Sequence, residues 1–296
     1  MDLSYSNAQP VELGGMPRPR LLLKEVYSVY ASQFRRWLAI AAPTSVLASG
    51  TLLMADRKIR EIYGSFPITQ ILFHKLEVAE TGVLRYGSFF LSWFLGCFAL
   101  AAVATVANGL NGDEEGSVWI SDSFQRAREH FGGLFLTAIV TFGIFLAGMA
   151  GIEFILSALI RLVGWTRFSR FNYAAYFLGT VVAASIVSWL GMAIPLLLAE
   201  NIGAWAALKK SMKLSNGYEG FLSLLVVESL VGSYVAWYAV HYGLSFLFPV
   251  QLRYTAWYGW LVYFVSILAS AAVQPPMFIG FSLLAGNKRE PASTFP

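Results

Sequence analysis

The chain has 296 residues, 57% of them hydrophobic, 16% aromatic and only 13% charged, where soluble globular chains carry about 25% charge. With a mean hydropathy of +0.59, this balance excludes a soluble domain, a disordered chain, collagen, a coiled coil and a disulfide scaffold. Cys97 is the single cysteine and reads as a small core residue, while the net charge of +4 is scattered through span-flanking segments, which argues for anionic lipid and against nucleic acid.

Residues 1–19 form a polar N-terminal segment, expected to be flexible and lacking the apolar run of a secretory signal peptide. Next, Leu23, Val26, Tyr27, Tyr30, Phe34 and Trp37 recur at helical spacing opposite Lys24, Glu25, Arg35 and Arg36. That pattern predicts an amphipathic helix lying in the membrane interface. A window free of Asp, Glu, Lys and Arg follows and predicts a first span over 37–55, close to the ~20 residues that cross a bilayer core. In the connection 56–85, His74, Glu77 and Glu80 fall at helical spacing, too few defined ligands to expect a metal. The second span is predicted over 87–110, where Ala101, Ala102, Ala104 and Ala107 suit close helix packing.

A second amphipathic helix sets Ile120, Phe124, Ala127 and Phe131 against Asp122, Arg126, Arg128 and Glu129. The third span, 132–160, carries Gly143, Gly148 and Gly151, and is interrupted by Glu153 near its far end, where Arg161 or Arg167 offers a partner. The fourth span, 171–199, runs into Glu200, and a third amphipathic helix sets Trp205, Leu208 and Met212 against Lys209, Lys210 and Lys213. The fifth span, 220–250, holds Glu228 about eight residues in, and His241 further along. The sixth, 255–286, contains Gln274 and a kink site at Pro275-Pro276, and a short tail, 288–296, follows. Trp37, Trp205, Trp257 and Trp260 fall near span ends and are expected to anchor at the interface.

The predicted fold is an all-α integral membrane protein with a transmembrane domain over 20–287. Its six transmembrane helices form three hairpins, each preceded by a cytoplasmic amphipathic interfacial helix. The aromatic markers Phe34, Phe131 and Tyr218 lie 97 and 87 residues apart, as a threefold repeat would place them. Lys and Arg number 12 on the N-terminal side of the membrane and 9 on the other. The bias favours a multi-pass protein of the inner (plasma) membrane with both termini in the cytoplasm.

The stretch Pro195-Leu-Leu-Leu-Ala-Glu200-Asn-Ile-Gly203, followed by Ala207-Leu208-Lys-Lys-Ser211 and Leu214-Ser-Asn-Gly217, resembles the signature of a bacterial six-span family. That family includes the membrane domain fused to some glycerophosphodiester phosphodiesterases, alongside stand-alone members. Ser121-Asp-Ser-Phe124-Gln-Arg-Ala-Arg128 and Val26-Tyr-Ser-Val-Tyr30 with Phe34-Arg-Arg are similar to its other interfacial segments. The resemblance implies a structural role for Glu200 at the turn out of the fourth span. It is expected to carry over no catalytic role, because the phosphodiesterase members carry a separate soluble barrel whereas ten residues follow Gly286 here.

Ionisable groups inside a bilayer are the natural functional candidates. Glu228 reads either as a proton- or cation-binding carboxylate in a polar cavity or as a paired carboxylate near the interface. Glu153 is expected to be paired, and His241, between Tyr238 and Tyr242, to be hydrogen-bonded at the interface. HExxH, CxxC, GxSxG, Walker A and Rossmann patterns are missing from the sequence, so no enzyme, cofactor or metal site is expected. The expected function is a membrane scaffold, anchor or accessory subunit that meets the bilayer, anionic head groups and a membrane or cytoplasmic protein partner. The alternative is transport of a small or lipidic solute, with a cavity lined by Glu228 and Gln274 and moving parts at Pro195, Pro249 and Pro275-Pro276.

Overall fold

The computed structural model describes residues 19–64, 75–110, 120–162, 169–253 and 255–287. Among the described residues the chain is helical, with no strand. In order the helices are α1 (Pro19–Ser32), α2 (Phe34–Gly64), α3 (Lys75–Leu110), α4 (Ile120–Glu129), α5 (Phe131–Leu162) and α6 (Ser169–Ser188). Then follow α7 (Ala193–Glu200), α8 (Ala204–Ser215), α9 (Glu219–Leu247), α10 (Val250–Arg253), α11 (Ala256–Val273) and α12 (Pro275–Asn287). Six stretches are long and apolar enough to cross a membrane: Phe34–Ala55, Tyr86–Ala107, Phe131–Ile152, Gly179–Glu200, Glu219–Leu247 and Trp257–Gly286. The protein is an all-α, multi-pass membrane protein. The expected N-terminal segment before Pro19, the tail 288–296, His74 and the side chains of Glu77, Glu80 and Glu153 lie outside the described residues.

Successive spans touch in a closed circuit: α2 on α3, α3 on α5, α5 on α6, α6 on α9, α9 on α11, and α11 back on α2. Within this circuit the last turns of the even-numbered spans converge, since α3, α7 and α12 all touch one another. Residues 99–107 of α3 are buried on every side, and Ala101, Ala102 and Ala104 are wholly inaccessible. Burial all round is the mark of a central helix. Small side chains on α3 let Leu196 of α7 and Leu283 and Leu284 of α12 close against it. Of the α5 glycines at 143, 148 and 151, Gly148 faces the Ala183 Cβ closely, whereas Gly143 and Gly151 have open space beside them.

The three short amphipathic helices follow one packing rule. Each leans on the end of an even-numbered span: α4 on α3, α8 on α7, and α1 on α12. Their inward residues are Leu22 and Val26 in α1, Ser123 and Ala127 in α4, and Ala207, Leu208 and Ser211 in α8, all buried. Trp37 departs from the expected interface anchor. It is fully buried, and its indole N–H donates to the Val29 carbonyl in the last turn of α1 at 3.1 Å. Trp205, Trp257 and Trp260 are exposed.

Two spans are broken rather than continuous. The fourth passes through tight turns over 189–192, where Gly191 N donates to Ser188 O at 2.9 Å and Ala193 N to Leu190 O at 2.9 Å. Pro195 has no N–H with which to resume an ordinary helix across this turn. The sixth breaks at Gln274, ahead of Pro275-Pro276, into α11 and α12. At the first break α12 comes so near that a Cβ on Gly191 would lie 2.5 Å from the Phe281 ring. Gly191→Ala is therefore expected to lower stability by about 1–3 kcal/mol through overpacking. Gly143→Ala, with nothing within 4 Å, should be neutral or slightly stabilising; thermal unfolding in detergent compares the two.

Candidate functional site

The break in the sixth span leaves a defined backbone debt. In a helix the carbonyls of Ala271 and Ala272 would accept from the N–H groups of residues 275 and 276, and both of these are proline. Within a bilayer such groups find no water and must be satisfied by the protein. The hydroxyl of Tyr30 on α1 donates to the Ala272 carbonyl at 2.6 Å. Burial holds the Tyr30 phenol above its ordinary pKa, so it keeps the proton that this bond requires.

Tyr27 lies three residues earlier, on the same face of α1. Its hydroxyl donates to Oε1 of Glu228 on α9. The two tyrosines, with Leu225, Glu228, Ser229, Val273, Pro276 and Met277, line a groove of about 190 Å³ between α1, α9 and the α11/α12 break. Among the described residues, no Lys, Arg or His nitrogen lies within ion-pair distance of Glu228. The carboxylate is exposed, as are Leu224, Val231 and Val235 on the same side of α9. That spacing of four, three and four residues is one helix face, so Glu228 sits on the stripe of α9 turned towards lipid.

The break in the fourth span is repaired in the same manner. Because Ala193 N turns to Leu190 O, the Trp189 carbonyl loses its helical donor, and Ser211 of α8 donates to it at 2.9 Å. Ser211 is fully buried, as is Ala207, and Leu208 is 3% exposed, so these three motif residues seat α8 against α7. Glu200 ends α7 and meets Lys210 Nζ with both carboxylate oxygens at 2.8 Å, fixing the turn between α7 and α8. Asn201 supplies the left-handed residue of that turn, at φ 51°. Its side-chain oxygen lies 3.2 Å from His130 Nε2, while His130 Nδ1 donates to the Arg126 carbonyl at 3.0 Å. Gly217 has φ 84°, a conformation natural to glycine, and its N–H donates to Glu219 at 2.9 Å. Leu214 is half-buried against the core.

The remaining candidates fall elsewhere. Gln274 sits at the break but does not line the Glu228 groove; its amide oxygen accepts from Ser45 on α2 at 3.5 Å. His241 is exposed on α9 and stacks on Trp237, with ring centroids 5.5 Å apart. Glu153 falls within α5, with its side chain outside the described residues. Among the described residues, no three His, Cys, Asp or Glu side chains gather where a metal would be held. The sequence signalled Glu228 as a lone carboxylate in a span, but nothing in it pointed to Tyr27, 201 residues away.

Removing either repairing hydroxyl should leave a carbonyl unsatisfied in the membrane, at a cost of about 1–3 kcal/mol. Tyr30→Phe and Ser211→Ala are each expected to lower the unfolding midpoint in detergent. Ser28→Ala, at an exposed position of α1, should leave it unchanged.

Comparison with protein-family models, with curated proteins and with solved structures finds no match.

Proposed function

We propose that the protein is a non-catalytic membrane scaffold, working as an anchor or accessory subunit for another protein of the inner membrane or cytoplasm. The observation that carries this reading is the filled centre of the bundle. Where α3, α7 and α12 meet, Ala101, Ala102, Leu196, Leu283 and Leu284 are 2% exposed or less, so that the described residues fill this centre. The groove at Glu228 opens sideways instead, and at about 190 Å³ it is below the ~300 Å³ at which small-molecule sites begin.

In this reading α1, α4 and α8 lie in the cytoplasmic interface with both termini inside the cell. Arg126, Arg128, Lys209 and Lys213 then face anionic head groups or a protein partner. The resemblance of the Glu200 to Gly217 segment to the six-span family fits the same reading, because its residues brace α8 on α7. The transport alternative draws on the two broken spans, since discontinuous helices are a common transporter device. At each break one freed carbonyl is capped by a hydroxyl of a short helix, which favours a rigid support over a moving gate.

Cysteine accessibility tests the reading. In a Cys97→Ala background, Ala102→Cys should stay unreactive to membrane-impermeant maleimide added from either side, whereas a cysteine at Lys209 should react only from the cytoplasm. Labelling at position 102 from either face would establish a water path and support transport. Labelling at 209 only from outside would overturn the topology.

A further inference from the structure

A carboxylate on a lipid-facing stripe is the least expected residue in this fold. Intramembrane ionisable side chains almost always face the bundle interior and pair within it. Glu228 does neither. Its partner among the described residues is the Tyr27 hydroxyl, a neutral donor that does not compensate the negative charge. Position along α9 narrows what supplies the balance. Glu228 lies nine residues past Glu219, the first residue of the helix, or about 13 Å at the helical rise. It is also level with α1, the amphipathic helix whose Tyr27 reaches it. The 29 residues of Glu219–Leu247 span about 43 Å and overhang the ~30 Å hydrocarbon core at both ends, which leaves Glu228 in the outer half of one leaflet, within reach of head groups.

The groove has the chemistry of a cation site. Tyr27 and Tyr30 present aromatic rings, Glu228 a carboxylate and Ser229 a hydroxyl, while Leu225, Val273, Pro276 and Met277 supply apolar walls. A cation gains from a ring face as well as from the carboxylate. A volume of about 190 Å³ admits an ethanolamine-sized group and not a whole lipid. The flanking residues on α9, Leu224 and Val231, are exposed, so acyl chains have a surface to lie along outside the groove.

We propose that this groove binds the ammonium head group of a membrane lipid, with the Glu228 carboxylate as counter-ion, the tyrosines as side walls and the acyl chains lying against α9. The site is independent of the scaffold reading, because a transporter would bind the same head group at the same place.

The test is lipid retention. The full chain is purified from vesicles of equal phosphatidylethanolamine and phosphatidylglycerol, washed in detergent, and its bound lipid measured by native mass spectrometry. The wild type is expected to retain the ammonium lipid in about tenfold preference, the scale of one charge-assisted contact. Glu228→Gln should bring the ratio to parity, and Tyr27→Phe should reduce it. Glu129→Gln, an exposed carboxylate on α4, should leave it unchanged. Retention by Tyr27→Phe that falls without loss of the size-exclusion profile separates loss of the site from misfolding. Parity in the wild type, or an undiminished preference in a folded Glu228→Gln variant, would overturn the proposal. So would displacement of the lipid by free ethanolamine at equal concentration, which would identify a soluble amine as the ligand.

Discussion

Unsatisfied backbone carbonyls in a medium without water constrain this structure more than any other interaction. A continuous helix discharges the obligation internally, but two of the six spans are not continuous. At each break a hydroxyl from a short amphipathic helix caps one freed carbonyl: Tyr30 of α1 on Ala272, and Ser211 of α8 on Trp189. The short helices are therefore parts of the membrane domain's hydrogen-bond network and not merely its fringe. The second span shows the converse. α3 runs unbroken past its burial zone, and Ser123, the buried serine of the helix packed on it, donates to Ile120 within α4 instead, at 2.7 Å.

The breaks have a packing consequence. Turning α7 and α12 away from the axes of α6 and α11 brings their ends against the alanine-rich half of α3. Close approach there depends on small residues on α3 and on Gly191 beneath the Phe281 ring. Lipid offers no hydrophobic drive for helices to associate, so such tight van der Waals seams are what hold spans together. The circuit of neighbouring spans closes around this seam, and α1, α4 and α8 each lock onto a helix that ends in it. A structure tied at its centre in this way is suited to presenting fixed surfaces.

Much of the architecture was legible in the sequence because its causes are local. Charge-free windows reveal spans, since one charged residue in a bilayer is expensive. The 3.6-residue stripe of Leu23, Val26, Tyr27 and Tyr30 reveals α1. The missing N–H groups of Pro275-Pro276 reveal the second break, and counting back four residues from Pro276 even identifies the Ala272 carbonyl that needs a donor. What supplies that donor was not legible, because Tyr30 lies 242 residues away and any hydroxyl on the right surface satisfies the same chemistry. Trp37 illustrates a second limit. Its position at a span end reads as an anchor, but the Val29 carbonyl of α1 claims its indole N–H. Glu228 was visible as an anomaly; that it faces lipid with a tyrosine beside it follows only from the rotation of α9, which span-level hydrophobicity does not fix.

The most direct test of the central claim is whether the short helices are held rigidly to the breaks. Spin labels at Ser28 on α1 and Val231 on α9, both exposed positions, report that attachment by pulsed electron–electron distance measurement in lipid nanodiscs. A single narrow distance distribution that broadens when Tyr30 becomes phenylalanine is the predicted result. Two well-separated distances in the wild type, or a narrow distribution indifferent to Tyr30→Phe, would contradict it.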